Sequence, residues 1–103
     1  MGAIKILSIL TEHNINFIDE YAFTDLPKSH YDFALLDNNN QIIRLIEFDG
    51  EQHYKDIPAW GGLELQQKRD KIKNEYALSH NIPLIRIPYW ERDNITLEML
   101  LGE

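Results

Sequence analysis

Cysteine is absent from this chain, which excludes a disulfide framework and any thiolate zinc site. That absence suits a reducing compartment. Long apolar runs are missing too: nothing approaches the roughly 18 residues that a membrane-spanning helix needs. The short apolar segment from Ile4 to Leu10 lacks the cationic lead and small-residue cleavage site of a secretory signal. The expectation is a cytoplasmic protein with no membrane association. No internal repeat and no interdomain linker interrupts the sequence. Its 103 residues, 1–103, read as one domain with a single modest core.

An excess of positive charge is the other absence. The net charge is −7, from 17 acidic against 10 basic residues. Phosphate binding normally rests on clustered Lys and Arg. An acidic chain acting on nucleic acid therefore needs bound metal, or a DNA-gripping region elsewhere. Lys68, Arg69, Lys71 and Lys73 crowd one segment as a local exception. They read most simply as a solvated helix face, some of them within reach of backbone phosphates.

Apolar spacing and turn residues lay out the elements. A helix is expected from Ala3 to about Asn14, with Ile4, Leu7 and either Ile6 or Leu10 at helical spacing. Asn16 to Phe23 reads as extended, and Leu26-Pro27 breaks the chain. Tyr31 to Leu36 and Gln41 to Phe48 read as strands joined through the Asp37-Asn38-Asn39-Asn40 turn. Asp49 to Gly62 reads as a loop. Leu63 to Ser79 is a helix with apolar Leu65, Ile72 and Tyr76, ended by Asn81. Ile82 to Tyr89 is a strand whose prolines confine its hydrogen bonding to the middle. Asn94 is expected to cap a last short helix through Leu101. This order describes an α/β sandwich with a mixed sheet. The strands at Gln41 and Leu84, joined through a helix, are expected to lie parallel by a right-handed crossover.

The strand from Gln41 is mostly apolar yet ends in acids. Glu47 and Asp49 project to the same side of it. Two carboxylates there repel one another and lose hydration unless a cation or proton compensates. Asp32, on the hairpin partner, comes within about 5 Å of Glu47, close enough to share one cation. Hard oxygens in this place suit Mg²⁺, and the nearby imidazole of His53 suits proton transfer.

Bland alternatives stand beside each residue. Asp32 could hydrogen-bond turn backbone, and Asp49 could cap the turn into Gly50. A lone His53 would be a surface residue, and Asp70 could pair along its own helix, on its Gln66 or Lys73 side, rather than orient His53. Trp60, Tyr54 and the Gly61-Gly62 pair could form a lid or cover the core. His13, His30 and His80 have no constellation around them and read as structural.

Laid out as Tyr31-Asp32-Phe33, Ile46-Glu47-Phe48-Asp49-Gly50-Glu51-Gln52-His53-Tyr54, Lys68-Arg69-Asp70 and Leu84-Ile85-Arg86-Ile87-Pro88, the chain resembles the EDxHD homing endonucleases of bacteriophages. These are relatives of the very-short-patch-repair endonucleases in the PD-(D/E)xK superfamily, and the resemblance covers about residues 3–91. It implies a restriction-endonuclease-like mixed β-sheet flanked by α-helices. It also implies an endonuclease acting on double-stranded DNA with Mg²⁺, or Mn²⁺ in its place, and leaving a 5′-phosphate. The catalytic set it implies is Asp32, Glu47, His53 and Asp70, with Asp32, Glu47 and Asp49 at the metal.

The resemblance further implies a phage protein in a bacterial host. In that setting the chain would be part of a longer protein with its own DNA-binding region, and a homodimer is open to the full-length form. The chain departs from the pattern in three ways. Asp49 replaces the superfamily's lysine, leaving no ammonium on the strand. Ala3 stands where the family's first-helix Glu falls, and the repair enzyme's zinc-binding cysteines are missing. Two other classes stay open: a catalytically inactive DNA-binding or assembly module on the same scaffold, and a nuclease acting on RNA or branched DNA.

Overall fold

The computed structural model describes residues 2–50 and 62–102. Helix α1 (Gly2–Glu12) leads into β1 (Phe17–Tyr21), β2 (Tyr31–Leu36) and β3 (Ile42–Asp49). Helix α2 (Gly62–Ser79) then precedes β4 (Leu84–Pro88), a 3-10 turn (Tyr89–Asn94) and α3 (Leu97–Leu101). The four strands form one mixed sheet in the order β1-β2-β3-β4. The first two pairings are antiparallel, and β3 with β4 is parallel, with α2 making the crossover that a parallel pair needs.

Asparagine does much of the turning. Asn14 after α1, Asn40 in the β2–β3 hairpin and Asn81 after α2 all have positive φ. Asn tolerates that region better than other non-glycine residues because its short amide bonds locally. In the hairpin, Asp37 Oδ1 accepts from the backbone N–H groups of Asn39 and Gln41, so the expected Asn-rich turn is closed by its first aspartate.

Both faces of the sheet are covered. On one, Ile6 and Leu10 of α1 and Leu100 of α3 pack with Phe33, Leu35, Ile46 and Ile87. On the other, Ala77 of α2 packs with Tyr31, Ala34 and Leu45. Burial from two sides explains why β2 is an almost unbroken apolar run.

Three expectations need correction. Ile6 and Leu10 form the buried stripe of α1, while Ile4 and Leu7 are exposed. Leu65 and Ile72 of α2 do not face the core: they are 39% and 48% exposed. The less exposed positions are Gln66, Asp70, Lys73, Tyr76 and Ala77, a stripe at helical spacing. This helix turns polar side chains inward because the end of the sheet it covers is acidic. The last helix starts later than expected, capped by Thr96, whose hydroxyl accepts from Met99 N–H. Asn94 instead closes the preceding 3-10 turn.

Candidate functional site

The polar stripe of α2 lies against the carboxyl end of β3. There Glu47 and Asp49, each only 4% exposed, project to one side of the sheet. Phe33 pairs with Ile46 across the hairpin, so one further step along that register sets Asp32 against Glu47. The Asp32 carboxylate accepts from Phe48 N–H at 2.7 Å, which ties it to the strand that bears Glu47. On the parallel side, Glu47 is in register with Arg86 and Asp49 with Pro88.

Each buried acid has a basic partner from another element. Lys73 Nζ of α2 donates to Glu47 Oε1 at 2.7 Å. Tyr31 fixes the helix at that point, its hydroxyl donating to Lys73 C=O at 2.9 Å, with the ammonium 5.5 Å from the Tyr31 ring centroid. Arg86 Nη1 donates to Asp49 Oδ1 at 2.7 Å and Nε to Asn74 Oδ1 at 2.9 Å. Its Nη2 lies 3.7 Å from Asp70 Oδ1. Asp70 Oδ1 also accepts from Gln66 Nε2 at 3.3 Å.

Burial pushes the Glu47 carboxyl up to about 7, and the neighbouring Asp32 charge adds to it. Lys73 and Arg86 pull the other way without restoring an ordinary value. The Tyr31 hydroxyl is pushed up to about 12, first by burial and then by Glu47. Buried ion pairs rarely add net stability over apolar packing of the same volume. Removing one partner of either pair would nevertheless leave an uncompensated buried charge.

The fold thus brings Asp32, Glu47, Asp49 and Asp70 to the meeting of β2, β3, β4 and α2. His53 lies outside the described residues, as do Tyr54, Trp60 and Gly61. Two site residues escaped the sequence reading. Lys73 was grouped with Lys68, Arg69 and Lys71, which are exposed. Its own side chain is 16% exposed and reaches Glu47. Arg86, within the apolar strand Leu84–Pro88, carries no local sign of a role. The available signal was spacing, since Gln66, Asp70, Lys73 and Ala77 fall on one helical face.

Among the described residues, no group of three or more His, Cys, Asp or Glu side chains is placed to hold a metal ion. The donor chemistry nevertheless fits Mg²⁺, which takes one or two carboxylates and fills its remaining positions with water and substrate phosphate. Asp32 and Glu47 would be such a pair, with Lys73 already supplying one cation to Glu47.

Compared with known proteins, residues 3–98 match the family described as "Protein of unknown function (DUF2726)". The chain belongs to that family. It is also similar to "Uncharacterized protein 307L" of Invertebrate iridescent virus 6, 36% identical over 52 residues. That match covers 47% of this chain and 26% of the viral protein. No solved structure matches. Among the described residues, no helix is long and apolar enough to cross a membrane.

Proposed function

We propose that this DUF2726 chain is a divalent-metal-dependent endonuclease domain of the PD-(D/E)xK type, cutting phosphodiester bonds in double-stranded DNA. The observation that carries the reading is the Asp32–Glu47 pair where β2 meets the end of β3, a half-buried carboxylate set against a buried one. Its charge repulsion and desolvation keep Glu47 protonatable near neutrality, as a site awaiting a cation would be. The homing-endonuclease resemblance supports the same residues.

Asp32 and Glu47 would hold Mg²⁺ or Mn²⁺, with Asp49 beside them kept in place by Arg86. When bound, the ion supplies charge neutralisation at the phosphate and acidifies water. His53 takes the proton of the attacking water. The water oxygen bonds to phosphorus as the P–O3′ bond breaks, and O3′ departs with a proton from solvent. The products are a 5′-phosphate and a 3′-hydroxyl. Asp70 holds the α2 side of the site through Arg86 and Gln66.

The test compares cleavage of duplex DNA, single-stranded DNA and RNA with Mg²⁺ or Mn²⁺, using the unaltered chain, Asp32→Ala and His53→Ala. Duplex cleavage that both variants abolish is the expected result. Undiminished cleavage by both variants rules the mechanism out. Preference for RNA or single strands reassigns the substrate.

One observation favours a second reading. Glu47 and Asp49 already have Lys73 and Arg86 as partners, as they would in an inactive binding or assembly module. That reading predicts thermal stability indifferent to Mg²⁺, whereas a metal site predicts a melting temperature that rises with ion concentration.

A further inference from the structure

We infer that Lys73 is the substrate-contacting cation of this site: it holds Glu47 in the resting protein and moves onto a non-bridging oxygen of the target phosphate when DNA binds. The inference rests on the nuclease reading above and adds a residue to it.

Among the described residues, Lys73 and Arg86 differ in how firmly they are committed. Arg86 spreads its guanidinium over Asp49, Asn74 and the α2 backbone at Asp70, and moving it would strand several groups. Among the described residues, Lys73 makes one side-chain hydrogen bond, to Glu47 Oε1. Its four-carbon stem lets the ammonium travel while the backbone stays anchored by Tyr31. A cation approaching Glu47 and Asp32 competes with Lys73 for the same negative charge. A phosphate entering at that moment offers the displaced ammonium a new anionic partner. There it offsets the charge that gathers on the phosphoryl oxygens as the water attacks. Asp49, an acid where a strand lysine would stand, cannot do this.

Such a role makes a prediction of opposite signs, which a merely structural lysine would not. The whole chain and its Lys73→Met, Lys73→Gln and Lys73→Arg variants are titrated with Mn²⁺ alone by thermal shift. Cleavage of supercoiled plasmid is then followed at saturating Mn²⁺. Without the competing ammonium, Lys73→Met and Lys73→Gln should half-saturate at roughly tenfold lower Mn²⁺. Their cleavage rate constants should fall by about 10²-fold or more. Lys73→Arg, which keeps the charge, should lie between them and the unaltered chain, and with Lys73→Gln it decides the matter should Lys73→Met fail to fold.

Full cleavage by the neutral variants overturns the role of Lys73 alone and leaves the nuclease reading standing. Weakening of ion binding and cleavage together also overturns it, since that marks a structural lysine. An unaltered chain that binds Mn²⁺ but cuts no DNA overturns the nuclease reading, and this inference with it.

Discussion

Lys73 and Glu47 stand 26 positions apart in sequence and meet at 2.7 Å, joining α2 to the carboxyl end of β3 across the layer boundary. Glu47 is the more buried of the two, so the pair is a neutralised acid at the edge of the core rather than a surface bridge. Removing the lysine leaves an acid that can still shed its charge by taking a proton. Lys73→Met should therefore lower stability by about 3 kcal/mol where Glu47 is ionised and by clearly less where it is protonated. Urea unfolding at pH 8.5 and at pH 5, with Tm as a cross-check, measures the difference.

The pH dependence of the unaltered chain follows from the same acid. Glu47 is raised in the fold from 4.5 to about 7, so between those values the folded state binds more protons than the unfolded one. Stability should then fall as pH rises from about 4.5 to 7, by roughly 3 kcal/mol at most, and level off above. Glu47→Gln cannot titrate and should lose that part of the slope. An unchanged slope in the variant, read by denaturant titration across this range, would show that other groups set it.

Asp32 acts on Glu47 through charge and on Phe48 through a hydrogen bond, and one substitution separates the two. Asn at position 32 can still accept from Phe48 N–H, while the charge that helps raise Glu47 is gone. Asp32→Asn should fold and shift the Glu47 titration downwards. Carbon-detected NMR of the side-chain carboxyls gives that shift directly.

Much of this fold was legible because local chemistry and burial agree. The strands read at Tyr31–Leu36 and Gln41–Phe48 with an Asn-rich turn between them had one sensible arrangement, and a parallel β3–β4 pairing was expected from the helix joining them. Helix α2 was legible as a helix but not in its orientation. Apolar Leu65 and Ile72 suggested a core face, yet the surface it covers is acidic, so Gln66, Asp70 and Lys73 turn inward. Asp32 and Glu47 were visible as charges misplaced in apolar strands. Lys73 was not, because a lysine among lysines reads as solvated until its helix is docked. Arg86 was hidden for a similar reason, since its partners come from distant segments.

The asparagine turns give a test of the fold that leaves the site untouched. Asn81 sits at φ 57° just beyond α2, so Asn81→Gly should hold or slightly raise stability. Asn81→Ala should lower it by about 1 kcal/mol. Chemical denaturation of the two variants side by side measures the ordering.

Arg86 gives a prediction about shape rather than charge. Its planar fork serves Asp49 and Asn74 together, which a lysine cannot match. Arg86→Lys should therefore lose about 1–3 kcal/mol of stability even though the charge is kept. Equal urea midpoints for the two proteins would assign the contact no structural weight.

The most direct test is a single reaction: supercoiled plasmid incubated with the unaltered chain and Mn²⁺, beside chelator-treated and Glu47→Gln controls. The account predicts nicked or linear product in the first sample alone. Equal product in all three would show that strand scission needs neither the ion nor the Glu47 carboxylate, and would contradict it.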